Sequence, residues 1–146
     1  MKQILLILFY SSLLLSIPGF ANGRVSTTEQ KFIEKIIEIR LDENGSINVG
    51  RDIVGSDDLA FYLAERLFKS YLGTGQMQDK IILSTAGNNV PDMVLQVIIN
   101  EIKAGQKKAL TKLCLEKYKV FFENIDVKKK EKLKKQFPVL FQTDYQ

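Results

Sequence analysis

From Ile37 the chain alternates: Ile37, Ile39 and Leu41 are apolar, while Glu38, Arg40 and Asp42 are polar. Ile47 and Val49 then flank Asn48 in the same way. A period of two predicts strands with one covered face. A two-residue turn at Asn44-Gly45 would set Leu41 against Asn48 and Ile39 against Gly50. A three-residue loop, Glu43-Asn44-Gly45, instead pairs Leu41 with Ile47 and Ile39 with Val49, which keeps apolar residues together. The second register is expected. Asp42, Asn44, Ser46 and Asn48 also alternate like the oxygen ligands of a calcium loop. Such a loop of the EF-hand kind needs glycine at its sixth position and a bidentate glutamate at its twelfth. Counting from Asp42, those places hold Ile47 and Ile53. The acidic run is therefore read as a turn, and calcium as the weaker alternative.

The period then changes. Ser56-Asp57-Asp58 can cap a helix, and Leu59, Ala60, Leu63, Ala64, Leu67, Phe68 and Tyr71 form a broad apolar arc reaching Leu72. GTGQMQ (residues 73 to 78) ends it; without a third glycine, and with a strand following, it is no dinucleotide loop. Lys80 to Ala86 is short and apolar at its centre, as an interior strand is. Pro91 suits a first helical turn, and Asp92 to Ala104 places Met93, Val94, Val97, Ile98 and Ile102 on one side, with Glu101 in that sector as a rim carboxylate expected to pair with a lysine. Gly105 is taken to close this helix, and Leu110 to Leu115 (LTKLCL) to form a last strand. The expected fold is α+β: two layers, a mixed sheet of about four strands in the order β-β-α-β-α-β, two helices on one face, and a C-terminal helical extension.

Composition narrows the chemistry. The 146 residues allow one domain with a modest core. There is no histidine, which removes histidine-based triads, histidine general bases and most zinc sites. Cys114, the single cysteine, lies between leucines and is read as a small buried residue, with a reactive thiol as the alternative. No cofactor is expected. The formal charge is +4, but Val127 to Phe137 alone carries six lysines and one glutamate, so the basic balance is local and does not mark a nucleic-acid binder.

At the start, Lys2, an apolar run from Ile4 to Ile17, Pro18-Gly19 and Ala21 follow the order of a secretory signal peptide. The run is short for a bilayer-spanning helix. Removal after Ala21 is favoured over retention as a membrane anchor; either places the remainder in the periplasm or otherwise outside the cytoplasm. Ser26-Thr27-Thr28-Glu29 reads as a capping box for a brief helix. The chain thus divides into a leader (1–21), an α+β domain (22–118) and a basic extension (119–146).

Three stretches carry a resemblance: IEIRLDENGSINVGRDIVGSDDLAFYLAERL (residues 37 to 67), IILSTAGNNVPDMVLQVIINEIKAG (residues 81 to 105) and LTKLCLEK. Over residues 37 to 117 their order and spacing resemble the extracytoplasmic domain of the ExbD/TolR family of bacterial transport-coupling proteins. The resemblance implies a non-enzymatic role beside a multi-span ExbB- or TolQ-like partner, coupling proton flow to a TonB- or TolA-like protein, with dimerising soluble domains and, in the TolR branch, cell-wall binding. Two departures matter. The family's membrane helix carries an aspartate for proton passage, whereas Ile4 to Ile17 holds no acidic residue, so this chain is not expected to carry protons in the usual way. The extension from Tyr118 to Gln146 has no counterpart in the family pattern.

In that extension Asp126 can cap a helix from Val127 to Gln136, stopped by Pro138. Its lysines, Lys128, Lys129 and Lys130 first among them, are read as a solvated face, or as a contact for anionic lipid or an acidic cell-wall polymer. Nucleic acid is not an expected partner. VFF (120 to 122) and FPVLF (137 to 141) are apolar enough to dock on the domain or on a second copy. The expected contact surface is a strand edge: the turn from Arg51 to Gly55, with Arg51, Asp52 and Ile53 as its candidate residues, and the last strand around Leu113 and Leu115. A homodimer follows on the same grounds. Two rival readings are a hydrolase using Asp57 or Asp58 with Glu101, and a carrier of small apolar ligands.

Overall fold

A computed structural model describes residues 35–87 and 90–145; the leader, the capping box at Ser26–Glu29 and the Asn88-Asn89 turn lie outside them. The fold is α+β, with a four-stranded mixed sheet and three helices. Strand β1 (Ile36–Leu41) pairs antiparallel with β2 (Ile47–Val49), and Ile39 faces Val49 while Leu41 faces Ile47. This is the register of the three-residue loop. Gly45 takes φ +82 there, a conformation that favours glycine. Asp42 Oδ1 accepts the N–H groups of Asn44 (2.9 Å) and Ser46 (2.8 Å), so the carboxylate holds the turn together.

Strand β3 (Asp52–Val54) pairs antiparallel with β2. After helix α1 (Leu59–Thr74), strand β4 (Lys80–Thr85) returns parallel to β1, giving the order β3-β2-β1-β4. Ile37, Ile39, Leu41, Ile47, Val49, Val54 and Ile81 form the buried face, against which α1 sets Leu59, Leu63 and Leu67 and helix α2 (Asp92–Tyr118) sets Ile98 and Ile102. On the opposite face Ile36, Glu38, Arg40, Ile53 and Lys80 are exposed. The entry to α1 differs in detail from expectation. Ser56–Asp58 form a 3-10 turn, with Asp58 N–H donating to Gly55 O at 3.1 Å, and no side chain caps the helix.

The expected strand order is corrected at two points. Asp52–Val54 is a strand where a turn was expected, and Leu110–Leu115 lies inside α2, which runs through Gly105 without a break. Buried residues 98, 102, 105, 109 and 113 recur every three or four positions, a helical period. The stretch after Gly105 is rich in Lys and Leu, both good helix formers, and has no proline to stop the turn. Gly105 is there for packing. A Cβ built on it would lie 2.9 Å from Ala60 O and 3.0 Å from Leu63 Cβ, so α1 and α2 cross with backbone against side-chain roots.

The C-terminal stretch joins the same core. Helix α3 (Val127–Gln136) has the expected bounds, and Asp126 Oδ1 accepts Lys129 N–H at 2.9 Å as its cap. Leu133 is fully buried, and Phe137, Val139, Leu140 and Tyr145 are buried with it. Phe137 meets Tyr71 of α1 edge-on, ring centres 5.6 Å apart.

Candidate interaction surfaces

The two margins of the sheet are built differently. At β3, Gly50 (φ +65) and Arg51 make a two-residue turn between the paired residues Val49 and Asp52, the glycine-first pattern of a type II′ hairpin. Residues flanking such a turn exchange both ladder bonds, so the next residue, Ile53, directs its N–H and C=O away from β2. Ile53 is 78% exposed. Arg51 and Asp52 are exposed beside it. The hairpin is nevertheless held in place. Tyr62 of α1 donates its hydroxyl proton to Asp52 Oδ2; Arg66, one turn on, donates to Tyr62 Oη (3.3 Å) and reaches Val49 O (3.5 Å). Burial and the hydrogen bond to Asp52 push the Tyr62 phenol above its usual pKa.

At β4 the margin is covered along Ile81 and Leu83. The Gln142 side chain lies along the strand as a peptide group would: Oε1 accepts Ile81 N–H at 2.8 Å, and Nε2 donates to Ile81 O at 2.7 Å. Leu83 N–H donates to Tyr145 O at 2.7 Å. Gln106, buried on α2, fixes this segment from behind. Its Nε2 donates to Val139 O (2.6 Å) and Gln142 O (3.2 Å), and its Oε1 accepts the Tyr145 hydroxyl at 2.8 Å.

Of the residues expected at a surface, Arg51, Asp52 and Ile53 come together on one edge. Leu113 and Leu115 do not join an edge. Leu113 is 0% exposed under α2, and Leu115 is 39% exposed on the outside of that helix. Sequence reading missed Tyr62, Arg66, Gln106, Gln142 and Tyr145. The amphipathic arc left Tyr62 and Arg66 on the polar side, and no local pattern joins Gln106 to residues 33 to 39 positions away.

The tail lysines sort into two groups. Lys129 pairs with Asp126 (3.1 Å), Lys134 with Glu131 (3.1 Å), and Lys130 donates to Glu123 O at 2.9 Å over the Phe122 ring. Lys128, Lys132 and Lys135 are exposed, have no partner among the described residues, and fall at i, i+4 and i+7 on one stripe of α3. Residues 117–136 hold eight of the 21 basic and three of the 17 acidic residues, so the remainder is one unit negative.

On the exposed sheet face Glu38, Arg40, Asp42, Asn48, Gly50 and Ala86 line a shallow hollow of about 410 Å3. Among the described residues there is no group of three or more acidic or sulfur ligands that could hold a metal ion. Asp57 and Asp58 are exposed at the foot of α1. Glu101 is half-buried on α2 and, against expectation, makes no ion pair with a described residue. Cys114 is buried, and burial pushes its thiol pKa up. No described helix is long and apolar enough to cross a membrane. Comparison with protein-family models, curated proteins and solved structures gives no match.

Proposed function

We propose that this chain is a non-catalytic interaction module whose contact element is the open edge of β3. The observation that carries this reading is the asymmetry of the sheet. One margin is sealed by the chain itself, while the other presents the outward backbone of Ile53 with an exposed apolar side chain beside it. An extended partner segment adds to such an edge through main-chain hydrogen bonds, and side chains of alternating direction supply selectivity. The Tyr62–Asp52–Arg66 cluster keeps that edge ordered before a partner arrives, which lowers the cost of binding. By the resemblance to the ExbD/TolR family, the partner we propose is a bacterial envelope protein: an ExbB/TolQ-like or TonB/TolA-like protein in transport or energy coupling to the outer membrane, or a second copy of this chain.

A photo-crosslinking side chain at Arg51 tests the reading in cells of the source organism, with the same group at Lys107 on α2 as control. A discrete adduct from position 51 alone, lost on Ile53→Pro, is expected; proline removes the outward N–H without touching the β2 ladder. Equal adducts at both positions, or an adduct indifferent to the proline, would refute it.

A second reading rests on the unpartnered stripe Lys128, Lys132 and Lys135. Three cations spaced one turn apart suit an anionic surface, either lipid head groups or an acidic cell-wall polymer.

A further inference from the structure

We infer that the outer edge of β4 is a second strand-pairing surface, kept closed by residues 142–145, and that the partner it takes when they leave is the β4 edge of another copy. This does not rest on the β3 reading. Three facts carry it. First, β4 is six residues long, twice the length of β3, and long unpaired edges drive association. Second, what closes it imitates a strand: the Gln142 amide takes both outward groups of Ile81, and Tyr145 O takes Leu83 N–H. The outward groups are therefore set for ladder bonding. Third, the edge is self-complementary. An antiparallel copy centred on Leu83 sets Ile81 against Thr85 and Lys80 against Ala86, so no like charges oppose each other.

Gln106 and the Tyr145 hydroxyl fasten the closing segment to α2, and Thr143 between its two anchors is exposed. Phe137, Val139 and Leu140 are buried ahead of it, so of the buried apolar residues only Tyr145 is lost when 142–146 are removed.

The test compares the full chain with one ending at Phe141, by light scattering across a concentration series. The truncated chain is expected to gain a self-association that the full chain lacks. Adding Ile53→Pro to the truncation should leave the dimer intact, and adding Leu83→Pro should abolish it. A folded, monomeric truncated chain would overturn the proposal, as would a dimer that Ile53→Pro removes and Leu83→Pro spares. Should the truncated chain fail to fold, Gln142→Ala in the full chain decides by amide hydrogen exchange. Exchange at Ile81 is expected to quicken about tenfold for one lost hydrogen bond, and unchanged exchange overturns the proposal.

Discussion

At the residue scale, Gly105 and Tyr62 show how single groups set the geometry. Alanine at 105 would gain about 1 kcal/mol of helix propensity, but its Cβ would press on Ala60 O, a backbone atom that cannot step aside. Overpacking of this kind costs about 1–3 kcal/mol. Gly105→Ala should therefore lower the urea midpoint, and a raised midpoint would mean the helices do not cross there. Tyr62 carries the pH dependence of the β3 hairpin. Its folded-state pKa is raised, first by burial and next by the bond to Asp52. The stabilisation is complete below the unfolded value near 10 and drains as pH rises through the folded one. Urea unfolding at about pH 8 and about pH 11 should show a smaller loss in Tyr62→Phe than in the parent chain. Tyr145, whose pKa burial also raises, accounts for part of the loss that remains.

At the scale of elements, the strands of the first hairpin and helix α3 were legible because their signals are local. Alternation and a glycine turn fix the register of β1 with β2, and Asp126 with Pro138 brackets α3. Gly105 misled for a physical reason. Glycine weakens a helix, but nothing in a single segment shows that a neighbouring helix needs the missing Cβ. Leu110–Leu115 misled similarly, since a short apolar run fits either period until Ile98 and Ile102 are counted with it. Arg51 to Gly55 was expected as a turn, and Asp52–Val54 within it is an edge strand, while the closure of β4 depends on side chains far apart in sequence. Helix α3 carries its own prediction. Anchored by Leu133, it turns Lys128, Lys132 and Lys135 outward, each contributing about 1 kcal/mol near an anionic surface. Changing all three to glutamine should release the protein from phosphatidylglycerol vesicles or purified cell wall, and the same change at the paired Lys129, Lys130 and Lys134 should release it less. Equal effects would show that total charge, and not the stripe, does the binding.

At the largest scale, the two-layer domain of the described residues carries three unlike surfaces: an ordered open edge, a covered edge, and a basic helix holding more than the entire net charge. The sealed edge and the helix belong to one continuous C-terminal stretch. Its apolar residues 133, 137, 139 and 140 enter the core, so the stretch completes the domain as well as covering β4. In the proposed reading strand pairing is thereby left to β3, and beside it lies an open face lined by Glu38, Arg40 and Asn48. Residue-resolved amide hydrogen exchange on the intact chain tests this asymmetry directly. Ile53 N–H, directed to solvent, should exchange at close to the rate of an unstructured peptide, while Ile81 and Leu83 N–H, held by Gln142 and Tyr145, should be strongly protected. Protection at Ile53 in the monomer, or rapid exchange at Ile81 and Leu83, would contradict it.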